Sequence, residues 1–155
     1  MRNANKCLQT ALIILIVATI LFIFVNSMLP PSVSSEESSA VAGIVGRLIP
    51  PNTVVGHFIQ EHIRKIAHFA EYGILGVEIA IYVVLYAKNR ARSALLNALT
   101  PFIVGFIDET IQIFSGRGPA ISDVWIDVGG FAVFSVIVYL NYVIAAGFRK
   151  CQEHK

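Results

Sequence analysis

The chain has 155 residues, of which 55% are hydrophobic and 14% charged, against the roughly one quarter charged that a soluble domain carries. The excess is gathered into long apolar runs, which excludes an ordinary soluble core and marks a membrane protein. The net charge is +2 and no basic cluster is interleaved with aromatics, which excludes a nucleic-acid partner.

The first run spans about residues 8–26 and carries no charge. A bilayer core of about 30 Å requires about 20 apolar residues in a helix, so this run is long enough to cross. A signal peptide has a shorter apolar region and small residues at its cleavage site, and the run is read as a retained anchor. Asn26-Ser27-Met28-Leu29-Pro30 follows it.

The next segment opens with Pro30-Pro31 and a serine- and glutamate-rich patch. Those residues suit a helix start, and residues 38–49 place Val41, Ile44, Val45 and Leu48 on one side. This spacing predicts a short surface helix that ends at Pro50-Pro51.

Three further runs follow, at about residues 62–86, 95–114 and 124–146. Pro101 lies near the start of the third span, where neighbouring helices can satisfy a freed carbonyl. The expected fold is all-α: one domain over residues 1–155, a four-helix transmembrane bundle with a short surface helix in the first outer loop.

Orientation is read from Lys and Arg in the short flanks. Arg2 and Lys6, then Lys88, Arg90 and Arg92, then Arg149, Lys150 and Lys155 fall on one side of a four-span chain. That side is expected to be the cytoplasm, with both termini in it. Arg47, Arg64, Lys65 and Arg117 lie on or near the opposite side and weaken the bias without reversing it. Cys7 and Cys151 then sit in a reducing compartment, so no disulfide is expected. Neither has metal-ligand spacing around it.

The spans carry more ionisable groups than an inert anchor. Span two opens with Arg64, Lys65, His68, Glu71 and Tyr72; at about 100° per residue, Lys65, His68 and Tyr72 share a face with Glu71 at its edge. Span three ends with Asp108, Glu109 and Gln112, within an arc of about 100°. Span four opens with Asp123 and Asp127, one turn apart. Counted at about 1.5 Å per residue, His68, Glu71, Asp108, Gln112 and Asp127 all lie within about 15 Å of the outer surface. Charges inside spans are rare and face a bundle interior or a wet cleft.

Each residue also has a bland reading. Arg64 is expected to snorkel at the interface, whereas Lys65 is read as an anion holder or salt-bridge partner. Asp123 fits an N-terminal helix position. Glu78 lies two turns beyond Glu71, outside the site, and is read as paired with Asn97 or the inner-loop bases, or as protonated. The tyrosines near span ends and Trp125 are read as interfacial anchors.

The pieces Lys65-x-x-His68-Phe69-x-Glu71-Tyr72 with Leu75-Gly76, then Asp108-Glu109-x-x-Gln112 with Gly116-Arg117, then Ser122-Asp123 leading to Gly130, resemble the VanZ-like family in order and spacing. The resemblance covers roughly residues 10–145. One departure is Asp127, where that family commonly has Asn. The resemblance implies a small integral protein of the bacterial cell membrane, similar to the determinant of low-level teicoplanin resistance in Gram-positive bacteria.

The function expected from these readings is an outward-facing polar cleft that binds or modifies a cell-envelope molecule. Candidate occupants are membrane lipid, a lipid-linked wall precursor and a lipoglycopeptide antibiotic. His68, Glu71, Asp108 and Glu109 are the candidate catalytic groups for hydrolysis or group transfer. Lys65, Tyr72, Gln112, Arg117, Asp123 and Asp127 are the candidate substrate-binding groups, with Arg117 suited to bidentate grip of an anion. No His-x-x-x-His zinc pair occurs and no cofactor is expected, although an oxygen-rich set of this kind accepts a divalent cation. The alternatives are a small transporter or channel component and a structural or assembly protein. The oligomeric state is left open.

Overall fold

A computed structural model of the chain describes residues 2–30, 32, 43–44, 47, 49, 52–116 and 120–153. The surface helix expected over residues 38–49 falls largely outside them, and Arg117 falls outside them altogether. Among the described residues there are four long helices and no strand: α1 (Arg2–Met28), α2 (Val54–Tyr86), α3 (Arg90–Phe114) and α4 (Ile121–Glu153). Each contains one apolar span, at Asn5–Met28, His62–Tyr86, Ala91–Phe114 and Ile121–Arg149.

Local chemistry sets the helix ends. Thr53 has an extended backbone, and its hydroxyl accepts the Gly56 N–H at 3.1 Å, which satisfies one of the donors that a helix start leaves free. Asn89 does the same for α3, accepting from the N–H groups of Ala91 and Arg92 at 2.9 and 3.2 Å. Helix α3 runs unbroken through Pro101 to Phe114. Gly116 beyond it has φ +77°, a backbone region that glycine enters without steric cost. With 33 residues, α2 is about 50 Å long. It starts eight residues before its apolar span, so its first two turns extend beyond the membrane-crossing segment.

The tightest pairing is α2 with α4. Gly76 lies so close to Phe131 that a Cβ there would stand 2.4 Å from the Phe131 carbonyl oxygen. Gly130 lies equally close to Phe69, at 2.2 Å from its carbonyl oxygen. The Ser135 hydroxyl donates to the Gly76 carbonyl at 3.0 Å. Residue numbers rise together along both helices at these contacts, so α2 and α4 run parallel. In lipid, helices associate through close packing of small residues and polar contacts between helices rather than through the hydrophobic effect, and these contacts supply both.

Helices α1 and α3 pack antiparallel to α2. The order of the α1–α2 contacts shows this, with Asn26 meeting Glu71, Thr19 meeting Glu78 and Gln9 meeting Tyr82. A core of Ile23, Tyr72, Leu75, Ile79, Val104 and Phe131 fills the space between the four helices. Their other faces expose leucine, isoleucine, valine and phenylalanine, the surface a lipid-facing helix requires.

Candidate functional site

The polar residues of the later spans meet at one end of this core, near the finish of α1 and the opening of the α2 span. The His68 Nδ1 atom lies 3.6 Å from Asp108 Oδ2 and 3.5 Å from Asp127 Oδ1. These residues belong to α2, α3 and α4. Both aspartates have no exposed surface, and the His68 side chain is 12% exposed.

The packing described above brings them together. Parallel α2 and α4, locked by Gly76 and Gly130, set His68 beside Asp127. Gly105 on α3 faces the same cluster: a Cβ at that position would lie 3.6 Å from Asp127 Oδ2 and 3.9 Å from the Tyr72 hydroxyl, ordinary contact distances.

Asp108 is held firmly. Its Oδ1 accepts from the Ser27 hydroxyl and its Oδ2 accepts from the Gln112 amide at 3.1 Å. Gln112 is fixed in turn by the Arg64 guanidinium, which donates to its Oε1 at 2.6 Å. Asp127 is not held in this way. Among the described residues neither of its oxygens has a hydrogen-bond partner, and the His68 contact is longer than a good hydrogen bond. The Tyr72 hydroxyl is also buried without a partner.

The remaining candidates divide into three groups. Glu71 accepts from Asn26 at 2.9 Å, which ties α1 to the rim of the cluster. Glu109 Oε2 accepts the Ala120 N–H at 2.9 Å and its Oε1 accepts from Gln112 at 3.4 Å, so this carboxylate fastens the start of α4 to α3. Asp123 lies in the first turn of α4, where a negative charge complements the helix dipole, and it also lines a cleft with His62, Arg64, Lys65, His68 and Ile126. That cleft has a volume of about 230 Å³ and leads from the surface to His68.

Several residues sit differently from their sequence reading. Arg64, read as an interfacial snorkel, reaches inward to Gln112, whereas Lys65 stays exposed on the cleft wall. Tyr72, read as a substrate contact, is enclosed in the apolar core beneath the cluster. Glu78 pairs with α1 rather than with Asn97 or the basic loop, accepting from Thr19 at 2.8 Å. Asn97 bonds back to the Ser93 carbonyl within its own helix. Helix α1 does more than the anchor its apolar run predicts: Ser27, Asn26 and Thr19 each donate to a carboxylate of α2 or α3. The available signal was Asn26-Ser27 at the end of the first span, at the same level as the acids of spans two and three.

Four apolar helices around a buried histidine–carboxylate cluster define a multi-span membrane protein with a polar site inside the bundle. The profile of the VanZ/LLP1 family matches residues 12–143. The chain therefore belongs to the VanZ/LLP1 family. No curated protein and no solved structure matches it.

Proposed function

We propose that this protein binds the anionic headgroup of a cell-envelope molecule in the His62–Lys65–His68 cleft, on the extracytoplasmic side of a bacterial membrane. The observation that carries the reading is the composition of the cleft. Arg64, Lys65 and two histidines, with Asp123 as the one acid, line an opening that reaches His68. Cations at the mouth attract a phosphate or carboxylate, and the lipid-facing flanks of α2 and α4 leave room for an apolar tail. A lipid-linked wall precursor has both parts, and so does a lipoglycopeptide such as teicoplanin, which the family resemblance brings into view. The distribution of Lys and Arg in the flanks supports the extracytoplasmic placement.

A transporter is less well supported. Beyond the cluster, the polar groups described towards the other end of the bundle include Glu78 with Thr19, Ser135 with the Gly76 carbonyl, Gln9 with Tyr82, and Asn97, and among these Glu78 is the one acid inside a span. The test is binding of labelled lipid-linked precursor to the purified protein in nanodiscs, with phosphatidylglycerol and phosphatidylcholine as comparison lipids. Lys65→Gln is expected to weaken precursor binding about tenfold, about the worth of one charge-assisted contact. Equal binding of the precursor and phosphatidylcholine by the wild type would remove the proposal. Susceptibility to teicoplanin with and without expression of the chain then decides whether the lipoglycopeptide is an occupant.

A further inference from the structure

We propose that His68, Asp108 and Asp127 form a binding site for one divalent transition-metal cation of the zinc or manganese type. The three residues come from three helices, and their candidate ligand atoms all lie within 4.8 Å of one another. A cation held at about 2.1 Å by nitrogen and oxygen separates neighbouring ligand atoms by about 3.0–3.5 Å. The His68 Nδ1 distances of 3.5 and 3.6 Å to the two carboxylates are already at the edge of that range. They are too long for good hydrogen bonds and suited to an ion between the groups.

A second observation points independently to a ligand. Asp127 is completely buried and both of its carboxylate oxygens lack a hydrogen-bond partner. A buried carboxylate without a hydrogen bond is costly, and the space it faces contains the His68 Nδ1 atom, which also lacks a hydrogen-bond partner among the described residues. Asp108 supplies the complementary feature. Ser27 and Gln112 each donate to one of its oxygens, the outer-shell pattern that orients a ligating carboxylate. Each of those oxygens keeps a lone pair for a metal.

The charge of the cluster agrees. Asp108, Asp127, Glu71 and Glu109 are opposed within it by Arg64 and His68, which leaves an excess of negative charge that a dication offsets. One imidazole and two carboxylates favour zinc or manganese over calcium, which takes six to eight oxygen ligands. The three protein ligands leave a coordination position that the cleft can supply from its His68 end. The proposal deepens the headgroup reading, and rests on it for what the ion does: a cation at the floor of the cleft would ligate the anionic group that Lys65 attracts at its mouth.

The experiment uses the full-length protein in nanodiscs. It is stripped with chelator, checked for native size and melting behaviour, and titrated with zinc chloride and manganese chloride. One equivalent of metal per chain is expected, with a higher melting temperature when bound. Asp127→Asn is expected to lower affinity at least 100-fold. Ser27→Ala, which leaves all three ligands in place, is expected to lower it about 10- to 100-fold. Folded wild type that takes up neither ion overturns the proposal, whatever the variants do; so does Asp127→Asn that binds with unchanged affinity. Lys65→Gln separates the two readings, because it is expected to weaken precursor binding about tenfold while retaining the metal equivalent. A wild type that binds precursor without metal removes the ion alone, and one that binds metal but not precursor removes the headgroup reading alone.

Discussion

Single polar side chains on α1 bond three of the acids inside this bundle, Ser27 to Asp108, Asn26 to Glu71 and Thr19 to Glu78. Glu78 shows the effect most simply, because it stands apart from the cluster. It is 5% exposed; one oxygen accepts from Thr19 and the other has no partner. Removing the hydroxyl while keeping the shape leaves the carboxyl group with nothing among the described residues to bond. Thr19→Val is therefore expected to cost about 1–3 kcal/mol, read as a lower melting temperature of the purified protein. In a Glu78→Leu background the same substitution should cost little, because the interaction is already gone. If Thr19→Val costs the same in both backgrounds, Thr19 contributes by packing and the contact does not stabilise Glu78. This role was invisible in the sequence. A threonine in an apolar run reads as a tolerated small residue, and only the antiparallel register of α1 on α2 brings it level with an acid 59 positions away.

At the scale of the elements, the α2–α4 crossing holds the site in register. It depends on two glycines rather than on a large apolar interface. Gly76→Ala and Gly130→Ala would each place a methyl group within 2.4 Å of a backbone oxygen on the facing helix, and backbone cannot swing aside as a side chain can. Each is expected to cost at least about 2 kcal/mol and to lower the melting temperature. Gly147→Ala has nothing within 4 Å of the added atom and is expected to be neutral, or stabilising by up to about 1 kcal/mol through helix propensity. Wild-type melting of Gly76→Ala would show that the helices separate at little cost.

Much at this scale was legible in the sequence. Four long, predominantly apolar runs can do little else in a bilayer than form helices, and small residues on α2 and α4 mark close approach. The start of α2 at Val54 was not legible. Val54, Val55 and Phe58 stand at helical spacing but are exposed and lie ahead of the long apolar run, and the informative residue was the capping Thr53 just after Pro50-Pro51. The inward turn of Arg64 was also hidden, because adjacent Arg64 and Lys65 are equivalent in a span flank until the position of Gln112 on α3 selects one of them.

At the scale of the whole molecule, the cluster and cleft occupy one end of the bundle, so their function depends on which side of the membrane that end faces. Helical periodicity placed the acids at a common level, and His68, Asp108 and Asp127 do converge. Sidedness is a separate matter, because it follows from charges in the flanks that act during insertion and leave no mark on the packing. Lys88 lies in the link between α2 and α3, and Ile121 opens α4 at the opposite end, beside the cluster; both are exposed. In a background with Cys7→Ser and Cys151→Ser, a cysteine at each position reports its side through a membrane-impermeant maleimide applied to intact cells. Ile121→Cys is expected to label in intact cells, and Lys88→Cys only after the membrane is opened. The reverse pattern would put His68 and its carboxylates on the cytoplasmic side. A wall precursor before export would then remain a possible occupant, whereas an antibiotic arriving from outside would not.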